Sequence, residues 1–213
     1  MESEEHVTMS GSNTICTVTA LLETGMLPVV EPITRIKLDS AAGLVPVVAE
    51  CENGKCKTVA FDNVPAFVFE LDFEVDVPVV GKVTLDVAWG GMIYIMTDAA
   101  KLGVSLTREN RKELVDLGEK IKRAAMDKIT PIHPTNPSIR GISNLIWTGP
   151  LEDDTDGGIK SIAATVVLPG RLDRSPVALV PVRALLCCIN EACSRTAKSS
   201  GISVSLVLNF SVM

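Results

Sequence analysis

The chain alternates between two hydrophobic periods, and each change of period marks an element. Residues 14–23 repeat apolar positions at helical spacing behind a polar, small-residue start, Ser10-Gly11-Ser12-Asn13. Ser10, Ser12 and Asn13 are all good N-caps, so a helix is expected to begin there. Gly25 supplies a C-terminal stop, with Pro28 soon after. Strands are then expected at 33–38, 44–50 and 58–61. They are split by 41–43 and by Asn53-Gly54, a strong hairpin dipeptide. Over 64–77, Phe67, Phe69, Leu71 and Phe73 alternate as one half-buried strand face. Strands at 83–87 and 92–96 follow, joined by Trp89-Gly90-Gly91, and the aromatics of this layer read as core.

Helical spacing returns once more. Thr107 is expected to open an amphipathic helix with Leu114, Leu117, Ile121 and Ala125 on its apolar side. Arg108, Lys112, Glu119, Lys122 and Arg123 then form a solvated face rather than a binding patch. Pro131, Pro134 and Pro137 force an extended segment in which His133 reads as a structural hydrogen-bonder. Strands at 142–147 and 159–168 flank an acidic loop at 152–156. The class is α+β or mixed α/β, with strands dominating.

Composition narrows the picture. With 213 residues, 46% hydrophobic and 22% charged, the chain suits one domain or two small lobes. A net charge of −6 without a Lys/Arg cluster gives no support to nucleic-acid binding. The start, Met1-Glu2-Ser3-Glu4-Glu5, is acidic and lacks the apolar core of a signal peptide. No apolar run approaches the roughly 18–20 residues of a membrane span, so a cytoplasmic protein is expected. Six irregularly spaced cysteines do not make a disulfide framework. Cys51 with Cys56, and Cys187 with Cys188 and Cys193, are conceivable metal ligands. Neither His6 nor His133 falls at a zinc-site spacing, and no metal is expected.

The candidate chemistry lies at the first helix start. Amides of a first turn lack intrahelical partners, and the helix dipole adds partial positive charge there. Such an end holds a carboxylate or phosphate with the Ser10 hydroxyl beside it, and Gly11 lets a ligand approach the backbone closely. Taken alone, any Ser/Gly-rich helix start offers as much.

The surrounding words are more specific. M-S-G-S-N-T-I-C at 9–16 and A-L-L-E-T-G-M-L-P at 20–28 are joined by D-N-V-P-A-F at 62–67. V-P-x-x-G-K-V-T-L-D-V-A-W-G-G at 77–91, H-P-T-N-P at 133–137 and L-D-R-S-P at 172–176 complete the set. Together they resemble, collinearly from about Glu2 to Pro176, the proline racemase family. That family includes 4-hydroxyproline epimerases and trans-3-hydroxy-L-proline dehydratases. Its usual first motif is M-C-G-H-G, and one branch has M-S-G-S-N, as here.

The resemblance implies two similar lobes of a diaminopimelate epimerase-like fold, each offering a helix N-terminus to a cleft. Each helix start carries one acid/base residue, and the substrate α-carbon sits between them. One residue removes the α-proton while the other delivers a proton to the opposite face; in the dehydratases, loss of the 3-hydroxyl follows abstraction. No cofactor is implied. The substrate would be hydroxyproline or proline, and family members are often homodimers. Ser10 would be the first catalytic residue, with Gly11, Ser12 and Asp173 lining the carboxylate and amine sites. Serine is a poor base, so Ser10 would relay or donate a proton. The heavier role would fall to a thiolate, whose pKa drops at a helix N-terminus.

Two departures change the expectation. The family's second residue is the Cys of D-R-S-P-C-G-T-G, whereas this chain reads Asp173-Arg174-Ser175-Pro176-Val177-Ala178-Leu179-Val180. Val177 stands where the acid/base belongs. Three of the six cysteines and none of the aspartates fall in the last 37 residues, so composition shifts as well. A T placed before any valine codon gives TGT, cysteine. With allowed third bases the shifted frame continues Gly-Thr-Gly-Thr-Ser-Ala-Arg, which is the missing motif. Residues 177–213 are therefore expected to be out-of-frame translation.

The other departure is at the front, where family members have an N-terminal lobe before M-S-G-S-N. Residues 1–38 would be its remnant, with the first catalytic helix, and 39–176 an incomplete second lobe. The leading expectation is a degenerate, inactive relative of a hydroxyproline epimerase or dehydratase. Alternatives are an active enzyme using Ser10 with His133 or Cys187 as substitute base, and a non-catalytic amino-acid-binding module.

Overall fold

The structure is a computed structural model. It describes residues 7–153 and 159–173, and for 151–153 and 159–161 the backbone alone. Most of the expected acidic loop lies outside the described residues. Two compact units are present, Val7–Phe67 and Val68–Ser175. Leu38 lies inside the strand Ile33–Ser40.

In the first unit, α1 (Gly11–Glu23) packs on a three-stranded sheet of β1 (Ile33–Ser40), β2 (Gly43–Glu52) and β3 (Lys55–Phe61). Both strand pairings are antiparallel, as short connections allow. Period two sets the buried face: Val45, Val47, Ala49 and Cys51 of β2 point inward between exposed or half-buried neighbours. Ile15, Val18 and Leu22 of α1 meet them at spacings of three and four, with Val59 and Phe61 of β3. The β2–β3 turn is made by Asn53 (φ 54°) and Gly54 (φ 71°), the paired left-handed residues of a two-residue hairpin. Gly25 (φ 73°) ends the helix as expected, its N–H donating to the Leu22 carbonyl at 3.1 Å.

The second unit is a six-stranded sheet in the order β4 (Phe67–Val77), β5 (Gly81–Trp89), β6 (Ile93–Asp98), β7 (Asn144–Asp153), β8 (Ile159–Val167) and β9 (Arg171–Asp173). β6 and β7 are parallel, and α2 (Arg111–Lys128) lies in the connection between them. Such a pair needs a long crossover, and the helix supplies it. Trp89, Trp147 and Tyr94 are fully buried, as expected of core aromatics. The alternation along β4 is interrupted where Asp72 takes a left-handed backbone (φ 52°), which leaves Leu71 exposed.

Two expectations for α2 are corrected. Thr107 and its neighbours form turns, with the Asn110 side chain donating to the Ser105 carbonyl at 3.1 Å, and the helix starts at Arg111. Lys122 is not on a solvated face. It is 3% exposed and paired with Glu119 at 2.7 Å.

Candidate functional site: the start of the first helix

The core fixes the start of α1 from both sides. Met9 before it and Ile15 behind it are buried, and the Thr14 hydroxyl lies 3.5 Å from the Met9 sulfur. The Thr8 carbonyl accepts the Ala42 N–H at 3.1 Å, which ties the entering segment to the β1–β2 turn. Ser10 is the N-cap, with extended backbone (φ −135°, ψ 113°) and no side-chain capping bond to the helix. Its carbonyl accepts both the N–H and the hydroxyl of Thr14 at 2.9 Å. That N–H closes the first turn, so the amides ahead of it have no i−4 carbonyl within the helix. No acidic residue occupies the first turn, and the positive end of the dipole keeps its sign. The half-buried Ser10 and Ser12 side chains stand at this end.

Gly11 is also constrained by packing. A Cβ at this position would sit 3.0 Å from the Phe61 ring. The Phe61 ring of β3 thus approaches Gly11 closely. Nothing in the spacing of 10–13 announces Phe61; the weak signal is its place directly before D-N-V-P-A-F.

The other sequence-derived residues lie in the second unit. Asp173 ends β9, half-buried and paired in register with buried Thr165. His133 packs edge-on against Trp89, with ring centroids 4.7 Å apart. Its backbone N–H donates to the Ile139 carbonyl at 2.9 Å, and Thr135 contacts its ring Nδ1 at 3.3–3.4 Å. This is the structural histidine expected of a proline-bracketed segment. Val177 and Cys187 lie outside the described residues. Among the described residues no group of three or more His, Cys, Asp or Glu side chains is arranged to hold a metal. None of their helices is long and apolar enough to cross a membrane.

Comparison with known proteins decides the family. The model described as "Proline racemase" matches residues 1–181. The chain belongs to the proline racemase family. A 4-hydroxyproline 2-epimerase of Agrobacterium fabrum is 41% identical over 167 residues, covering 78% of this chain and 47% of that protein. Its counterpart in Allorhizobium ampelinum is 40% identical over the same shares. The chain thus spans about half the length of the curated relatives it matches. A crystal structure of a hydroxyproline epimerase from Agrobacterium vitis with bound trans-4-hydroxy-L-proline superposes with a TM-score of 0.79 at 35% identity. The match covers 93% of this chain and 56% of that one. A probable proline racemase from Agrobacterium radiobacter K84 with bound carbonate gives 0.79 at 34%, covering 92% and 56%. The strand-rich α+β class and the proline racemase-like fold are established by these matches.

Proposed function

We propose that this chain is a degenerate hydroxyproline epimerase that keeps the first proton-transfer station, Ser10, and does not turn over by itself. The carrying observation is the Ser10 helix end with no acidic residue in its first turn, in a chain about 40% identical to named 4-hydroxyproline 2-epimerases. A substrate carboxylate at this end would be stabilised by amides and dipole, while the Ser10 hydroxyl donates or relays a proton at the α-carbon. Epimerisation needs a second acid/base on the opposite face. By family resemblance that position falls at Val177, whose aliphatic side chain neither takes nor gives a proton. A single-base deletion at this codon explains the substitution, and residues 177–213 are then out-of-frame. The polypeptide would be cytoplasmic and cofactor-free, with a small imino acid as ligand; dehydration of a 3-hydroxyproline is a second fate of the same proton abstraction.

The test is α-proton exchange of trans-4-hydroxy-L-proline in heavy water, followed by proton NMR. The expected result is no exchange above the protein-free rate. Exchange that disappears in Ser10→Ala would overturn inactivity, and inversion at the α-carbon alongside it would show that another residue serves as second base. Sequencing across the Pro176–Val177 codons tests the frame independently. A downstream frame reading Cys-Gly-Thr-Gly supports the deletion, and its absence removes it.

A further inference from the structure

Cys51 and Cys56 are direct cross-strand partners in the β2–β3 hairpin. Paired residues of an antiparallel ladder have Cα atoms roughly 4.5–5.5 Å apart. That lies inside the ~4.4–6.8 Å that a disulfide spans. The register shifts between Glu50 and Cys51, which brings Cys56 onto the inward face with Cys51. Cys51 is 3% exposed, Cys56 is half-buried, and both are free thiols.

Both backbones are held in place. The Cys51 N–H donates to the Pro32 carbonyl at 2.9 Å, and the Cys56 N–H donates to the Glu23 carboxylate at 3.1 Å. Glu23 also pairs with Lys55 at 2.9 Å, so the hairpin end is pinned to the last turn of α1. Two thiols fixed face to face in this way have a high effective concentration for each other.

We infer that Cys51 and Cys56 form a reversible cross-strand redox pair, taking a small disulfide of the glutathione class as co-reactant. The Cys56 thiolate, the more accessible of the two, attacks one sulfur of oxidised glutathione. A Cys56–glutathione bond forms, the glutathione S–S bond breaks, and one reduced glutathione leaves as thiolate. The Cys51 thiolate then attacks the Cys56 sulfur, forming the Cys51–Cys56 bond and expelling a second reduced glutathione. Two protein thiols are oxidised and one small disulfide is reduced. Burial, with the Cys51 thiol beside it, pushes the Cys56 thiol up from its ordinary value. The first step therefore accelerates as pH rises. The pair does not touch Ser10 and stands apart from the proposed function.

Trypsin cleaves after Lys55, between the two cysteines, so the bond is read directly. The whole chain is equilibrated in glutathione redox buffers, acid-quenched, alkylated and digested without reduction. The linked product is peptide 38–55 joined to 56–57. The expected result is a linkage constant at least about tenfold higher for the native chain than in concentrated urea, because the folded register holds the thiols together. Cys51→Ser should leave a persistent glutathione adduct on Cys56. Equal constants in urea and buffer would overturn the inference. So would a Cys56 adduct that never resolves in the unmodified chain, or two unreacted thiols under conditions where exposed Cys16 reacts.

Discussion

One methyl group separates a tolerated from a damaging change at Gly118. A Cβ there would lie 2.8 Å from Val166 Cγ2 and 3.2 Å from the Trp147 indole nitrogen. That nitrogen donates to the Leu114 carbonyl at 3.0 Å, and both neighbours are fully buried. Alanine gains about 1 kcal/mol of helix propensity, yet overpacking a core costs about 1–3 kcal/mol. Gly118→Ala should therefore lower unfolding free energy in urea by up to about 2 kcal/mol, despite its better helix propensity. Adding Val166→Ala should cost less than the sum of the two single changes, because the smaller side chain removes the clash. Asp86 offers a pH-dependent test. Burial pushes its carboxyl above the ordinary 3.8, while the Asp72 N–H, donating at 3.0 Å, opposes part of that rise. A folded value above the unfolded one means the native state holds the proton more tightly. The group thus favours folding below the ordinary value, and this support is lost as pH rises through the folded value. Asp86→Asn keeps the acceptor and removes the charge. It should gain a few tenths to ~1 kcal/mol at neutral pH, screening included, and the gain should vanish below about pH 4. A gain that persists in acid would rule out the ionisation account.

At the scale of elements, period was a sound guide and residue chemistry sometimes a poor one. The buried stripe of α2 is Leu114, Gly118, Ile121, Lys122 and Ala125, which is a plain helical repeat. Lys122 belongs to it by position, but its charge argued for the solvated face, and glycine's lack of a side chain hid Gly118. The β1–β2–β3 meander was legible because alternation and Asn53-Gly54 agree on the same register. The helix start at Ser10 was legible as a cap. Its neighbour Phe61 was not, since that contact depends on where β3 lies against α1 and not on local spacing. Asp173 is placed on a short strand, while the residues after it lie outside the described part. The Glu119–Lys122 pair carries its own prediction. Lys122→Met removes a buried charge and leaves Glu119, whose side chain is 18% exposed, able to reach water. Glu119→Ala strands a buried ammonium. The second should cost about 1–3 kcal/mol in urea unfolding and the first under about 1 kcal/mol. The reverse order would mean that Lys122 is satisfied by something other than Glu119.

For the whole molecule, the division into Val7–Phe67 and Val68–Ser175 bears on cooperativity. The first unit is one helix on three strands, a size at which a hydrophobic core is marginal. The second carries a six-stranded sheet and both tryptophans of the chain, each fully buried. Intrinsic tryptophan fluorescence therefore reports the second unit alone, whereas far-ultraviolet circular dichroism reports backbone structure in both. If the units unfold separately, the two probes cannot give one curve. Urea titration should show a circular dichroism loss that begins at lower denaturant than the fluorescence change. Trp89 and Trp147 should stay in their apolar surroundings through that first phase. Superimposable curves with one midpoint and one slope would mean that the chain unfolds as a single cooperative block, despite its two cores and its half-length match to its relatives.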